Sequence, residues 1–146
     1  MQSGGSAGEL LAAGTEAMFE GAFRTGDYDD AEAMLEAARC RAEADGDRAA
    51  EAGTLDRLAW LMHFRALDRD REGADPDAEE ALFEGSLAIR REFGDQAGTA
   101  AALFGLGLVH QVLRRDSAAA IPYLREAVEL ADVHADALVR SECHRT

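Results

Sequence analysis

A chain of 146 residues with 29 acidic and 15 basic side chains carries a formal net charge of −14, which repels nucleic-acid phosphates and anionic lipid and suits basic partners. The length fits one domain that buries about two thirds of the surface its unfolded chain exposes, and no apolar run approaches the roughly 20 residues that span a bilayer. Every basic side chain is arginine, with no lysine or asparagine and abundant alanine and glycine, a bias of GC-rich codons that argues against reading the arginines as phosphate ligands. Cys40 and Cys143 lie far apart without CxxC spacing and read as free thiols of a reducing cytoplasm.

Residues 1–8 are small and polar and predict a disordered start. A first helix over 8–24 stops at Thr25-Gly26-Asp27, where Gly26 supplies a C-cap and Asp27 an N-cap. The second, over 28–45, sets Ala31, Met34, Leu35 and Ala38 on one stripe at helical spacing. Gly46-Asp47 closes it and caps a third helix to residue 67, carrying Leu55, Leu58, Ala59, Met62 and Leu67. An acidic linker over 68–75 leads to a fourth helix opened by Pro76, a favoured first-turn residue, with Leu82, Phe83, Leu87 and Ile89 on its apolar side. Gly94-Asp95 repeats the cap before a fifth helix to 113. A sixth is expected over 118–133, with Pro122 in its first turn, and a seventh from 136 to the end. No segment alternates like a half-buried strand, so the class is all-α with about seven helices.

The chain repeats itself. Gly46-Asp47-Arg48-Ala49 returns as Gly94-Asp95-Gln96-Ala97, and Ala52, Leu55, Leu58 and Ala59 return as Ala100, Leu103, Leu106 and Gly107. A fixed internal period is the mark of stacked helical units. Leu106-Gly107, followed by Ala120, Tyr123-Leu124 and Ala127, resembles the tetratricopeptide repeat. Ala31, Met34-Leu35 and Ala38 fit the second-helix pattern one unit earlier, and Glu79, Leu82-Phe83 and Ser86 fit it more weakly between them. The spacings, 48 from Leu35 to Phe83 and 41 from Phe83 to Leu124, resemble long-helix members of that family. HEAT-like repeats share the length, but the Gly and Ala positions favour the tetratricopeptide pattern. The resemblance implies a right-handed α-solenoid of helix-turn-helix hairpins over 9–45, 46–93 and 94–133, with a partial repeat or capping helix over 134–146.

It also implies a concave groove lined by the first helix of each unit. With Gly107 at the close-packing position, Phe104, Leu108, Gln111 and Val112 face that groove. The internal repeat brings Asp56, Trp60, His63 and Phe64 to the same face, and anchoring on Gly26-Asp27-Tyr28 adds Glu16, Glu20, Phe23 and Arg24. The set is an aromatic centre with an acidic flank. It suits a basic or arginine-containing peptide, each cation–π contact contributing about 0.5–2 kcal/mol. The expected function is a non-catalytic protein- or peptide-binding scaffold of a bacterial cytoplasm, without cofactor, nucleic acid or membrane partner. The alternative is a small-molecule or metal-responsive sensor domain.

Other signals are weaker. Asp68, Asp70, Glu72, Gly73 and Glu79 approach the spacing of a calcium loop, although Asp75 and Pro76 oppose it and a solvated insertion is the plainer reading, so no metal site is expected. His63 and His110 fall on neighbouring first helices with Asp56 at hand, but no third ligand can be placed. Phosphate-loop, GxSxG and HExxH motifs are absent, and nothing in the sequence supports an enzyme. Leu138, Ser141 and His144 align with Ala97, Ala100 and Leu103, so the seventh helix resembles a first helix without its partner. It is a cap, part of a longer array, or an open end that pairs with a second copy.

Overall fold

The computed structural model describes the backbone of residues 5–145 and, within the last helix, side chains as far as Val133. Among these residues the chain is entirely helical: α1 Ala7–Glu20, α2 Asp29–Asp45, α3 Arg48–Asp68, α4 Pro76–Glu92, α5 Gln96–Leu108 and α6 Ser117–Arg145. Helices α1 and α5 each run on into one π-helical turn, Gly21–Thr25 and Val109–Leu113. Those turns end first helices at equivalent places in the repeat.

The helix ends are built by local chemistry. Gly46 and Gly94 adopt left-handed φ values of 67° and 65°, which a side chain would strain. The amide of the following aspartate then donates back across the turn, Asp47 to the Ala42 carbonyl at 2.9 Å and Asp95 to the Arg90 carbonyl at 3.0 Å. Each aspartate next accepts from the first turn of the new helix, from the Ala50 and Gly98 amides at 3.1 and 2.9 Å. One Gly-Asp pair thus closes a helix and opens the next. Asp75 and Asp116 cap α4 and α6 in the same way.

Two expectations are corrected. Helix α1 begins inside the segment expected to be disordered, because Ser6 and Glu9 form a reciprocal capping box, Ser6 Oγ accepting from the Glu9 amide and Glu9 Oε1 from the Ser6 amide. Residues 1–4 lie outside the described residues. The described helices number six, not seven, since α6 continues unbroken for 29 residues. Nothing between Tyr123 and Arg145 is glycine or proline, and without such a breaker the helix propagates. Pro122 lies inside α6 rather than in its first turn, so the carbonyl of the exposed Ala118 has no i+4 amide to accept from.

Helices pack in chain order as hairpins α1–α2, α3–α4 and α5–α6, joined by α2 on α3 and α4 on α5, with α1 also reaching α3. The core has two main parts. Met18, Tyr28, Ala31, Leu35, Leu58 and Leu61 fill the first, and Ala59, Phe83, Leu87, Ala102, Leu103, Leu106, Val109 and Ala127 the second. Trp60 and Leu82 border both. Within each part the helices meet at small residues. A Cβ on Gly14 would stand 2.7 Å from Leu35, while one on Gly105 would collide with the Phe83 ring and one on Gly107 with the Leu124 side chain.

Phe83 is 1% exposed and its ring cannot retreat. Gly105→Ala is therefore expected to lower the unfolding free energy by about 1–3 kcal/mol through overpacking, against about 1 kcal/mol gained in helix propensity. Urea unfolding followed by helical circular dichroism checks this, and a net stabilisation would show that α4 and α5 can separate freely.

Candidate functional site

The first helices of the hairpins, α1, α3 and α5, carry a row of aromatic side chains across the molecule. Phe19 and Phe23 are one turn apart and stack with centroids 5.9 Å apart and planes 6° apart. Phe19 meets Phe64 at 6.3 Å, Phe64 meets Trp60 at 5.9 Å, and Trp60 meets Phe104 at 6.2 Å. Beneath the row the buried Phe83 meets Trp60 nearly edge-on at 5.4 Å, which fixes the indole. Such pairs contribute about 0.5–1.5 kcal/mol each beyond their burial. Yet the row is not sealed: Phe19 is 39%, Phe23 75% and Phe104 47% exposed.

Of the expected groove residues, Phe23, Trp60, Phe64 and Phe104 are brought together in this row. Leu108 and Val112 are half-buried further along α5 and its π turn, and Gln111 is exposed there. Glu16 and Glu20 are exposed on α1, and Glu20 pairs with Arg24 at 2.9 Å. Phe19 was not among the expected residues. Phe19 joins the row because it lies one turn before Phe23 and meets Phe64 of α3. The π turns 21–25 and 109–113 keep the two first helices in the expected register, and the extra residue enters only at the turn that follows, where Arg115 with a φ of 54° is left-handed in the role of Gly26. Gly at this turn is legible in sequence, whereas a left-handed arginine is not.

Asp56 and His63 do not open onto the groove. Asp56 is 6% exposed and turns toward α4, where Arg90 Nη2 donates to its Oδ2 at 3.0 Å. Burial raises its pKa, partly opposed by Ser86 and Arg90 beside it. His63, 3% exposed, bonds through Nδ1 to Oε1 of the fully buried Glu79 at 2.9 Å. The other carboxyl oxygen of Glu79 has no protein partner. His63 and His110 are not paired, because His110 stacks on Tyr123 at 5.3 Å and lies 3.8 Å from Glu80.

The candidate calcium ligands are also dispersed. Glu79 points into the core, and Asp68 accepts from the Tyr28 hydroxyl at 2.7 Å. Between them the linker winds through left-handed Asp70, Arg71 and Gly73. Among the described residues no three His, Cys, Asp or Glu side chains are grouped to hold a metal.

One further feature was not legible. An open pocket of about 710 Å³ adjoins Phe23 at the end of the row, between the π turn of α1, the start of α2 and the end of α3. Arg24, Arg65 and Arg69 line it beside Asp27, Asp29 and Asp68. Arg65 lies 5.6 Å over the Tyr28 ring. Burial first, and then the Asp68 hydrogen bond, push the Tyr28 phenol up to about 12.

No protein-family model matches the chain, and no curated protein or solved structure matches it. Among the described residues no helix is long and apolar enough to cross a membrane.

Three outcomes follow from these partners. An acid whose folded pKa is raised stabilises the fold at low pH and loses that contribution as pH rises through the folded value. Wild type is therefore expected to gain stability relative to Asp56→Asn between pH 7 and pH 4 in paired urea titrations; the opposite slope would mean that Arg90 outweighs burial. By the same sign, the Tyr28 contribution is complete below its ordinary value of 10.0 and lost as pH rises through about 12. Absorbance titration should show a phenolate step there that Tyr28→Phe removes. Glu79→Ala should cost about 1–3 kcal/mol by leaving His63 Nδ1 buried without its acceptor, and Glu79→Gln distinctly less.

Proposed function

We propose that the chain is a non-catalytic scaffold of tetratricopeptide-like hairpins, wound as a right-handed solenoid, that binds a protein or peptide along its aromatic row. The observation that carries this reading is the row itself: five aromatic rings in contact across three successive first helices, three of them substantially exposed. Aromatic anchors of this kind dominate recognition surfaces because they bury large area at small entropic cost. The repeated Gly-Asp corners and the small residues Gly107, Ala120 and Ala127 support the repeat reading. The charge of −14 and the exposed Glu16 and Glu20 favour a partner rich in arginine. A regulatory or assembly role in a bacterial cytoplasm fits this composition.

A small-molecule sensor is the second reading, favoured by the pocket of about 710 Å³ beside Phe23. One experiment separates the two. Immobilised wild type and a Phe23→Ala, Phe104→Ala double variant are each offered a random peptide display library. Both substitutions fall on exposed rings, so the fold should hold, as circular dichroism would verify. Enrichment of arginine-containing peptides at least about tenfold over the variant is the expected result. No difference between the two proteins would sink the peptide reading. A rise in melting temperature with small apolar ligands, lost in Phe23→Ala alone, would move the assignment to a sensor.

A further inference from the structure

Helix α6 presents a face that no described residue covers. In the repeat register, Leu124 and Val128 correspond to Phe83 and Leu87 of α4, which are buried where α4 receives α5. On α6 the same face is open except at Leu124, which is half-buried with its side chain against Gly107 of α5. Ile121 is 49% and Val128 59% exposed, and with Leu124, Arg125 and Glu129 they line a shallow, almost wholly apolar depression of about 370 Å³.

The spacing on that face is not that of a lone repeat. Ile121, Leu124, Val128 and Ala131 alternate at steps of three and four, and the sequence continues the pattern through Ala135 and Leu138. This is a heptad seam with apolar residues at both core positions, the pattern by which two helices wind about each other. The backbone is helical along all of it, to Arg145. Helix α6 also outruns its own hairpin. Leu130 lies level with Gln96 and Thr99 at the start of α5, so the helix after it, rising about 1.5 Å per residue, has no length of α5 beside it.

We propose that this face is an interface between two copies of the chain, joined through α6 in antiparallel orientation about a two-fold axis. The flanking charges select the occupant and its direction. Beside the seam, Arg125 falls between Leu124 and Val128, and Asp132 follows Ala131. When two such helices run antiparallel with Val128 against Ala131 of the second copy, Arg125 of each chain stands opposite Asp132 of the other. The arrangement is isologous, and both ion pairs form at once. A parallel pairing would set Arg125 against Ala120 or Ala127, which carry no charge. Both Arg125 and Asp132 are exposed and neither has an ion-pair partner among the described residues. The surface shares no residue with the aromatic row, so the row stays free in the dimer.

The test uses the full chain and two charge reversals, Arg125→Asp and Asp132→Arg, both at exposed positions. Light scattering coupled to size-exclusion chromatography should give twice 15.6 kDa for wild type. Each single variant faces like charges across the axis, and its dissociation constant should rise on the order of tenfold or more. An equimolar mixture of the two variants restores opposite charges at both contacts and should recover the wild-type dimer as a heterodimer. A wild type that stays at 15.6 kDa across the micromolar range overturns the proposal. So does a dimer that ignores both reversals, or one that mixing fails to rescue.

Discussion

The close approach of helices at glycine and alanine is the constraint on which the rest of the molecule depends. Gly14 admits Leu35, Gly105 admits Phe83, and Gly107 admits Leu124. Around these contacts the buried set is dominated by Ala31, Ala38, Ala42, Ala52, Ala59, Ala102, Ala120 and Ala127. Backbones that meet at such residues leave little volume between them. Among the described residues Phe83 is the most deeply buried aromatic ring, and it needs Gly105 to fit. Phe19, Phe23, Phe64, Trp60 and Phe104 are excluded from the thin interior and gather along the first helices instead. The aromatic row is thus a consequence of how the hairpins close.

A thin, alanine-rich interior supplies less apolar burial per residue than one built from leucine and isoleucine. Polar pairs fill part of that role by fixing which helix meets which. Arg90 is the clearest case. Its carbonyl accepts from the Asp95 amide at 3.0 Å, while its guanidinium donates to the Asp95 carboxylate at 2.9 Å and to Asp56 at 3.0 Å. One side chain of α4 therefore holds α3 and the cap of α5 together. His63 and Glu79 tie the end of α3 to the first turn of α4 in the same manner. Buried pairs of this sort often contribute little net stability, and their better-attested effect is register. Here that register aligns Trp60 with Phe104.

Much of this was legible in the sequence, for reasons that can be traced to particular residues. The Gly46-Asp47 and Gly94-Asp95 corners announce themselves because only glycine takes the left-handed turn easily and aspartate caps strongly. Gly107 was read as a close-packing position, and the side chain that fills the space beside it is Leu124. What escaped depended on long-range partners or on unmarked backbone geometry. Asp56 and His63 share a face with Trp60 by spacing, yet their fate was set by Arg90 and Glu79 on another helix, which no local pattern reveals. Phe19 was missed because its place in the row is set by Phe64 on another helix. The continuity of α6 was misjudged by expecting the repeat to punctuate the chain at residues 134–136, where neither glycine nor proline enforces a break.

The strong negative charge bears on both exposed apolar surfaces. Two chains of −14 repel at long range, and at physiological salt that repulsion fades over about 8 Å. Association must therefore be won by groups in contact, where desolvated apolar area and matched charges act within a few ångströms. The aromatic row and the α6 seam are the surfaces so equipped among the described residues. They differ in how their charges are arranged. The row is flanked by the exposed Glu16 and Glu20, the latter paired with Arg24 at 2.9 Å, and at its Phe23 end it meets Arg65 and Arg69 of the neighbouring pocket, an arrangement that does not map onto itself. The α6 seam carries one arginine and one aspartate in positions that exchange under a two-fold axis. A surface whose charges exchange under a two-fold axis is complementary to itself, and one whose charges do not exchange is better matched by an unlike partner.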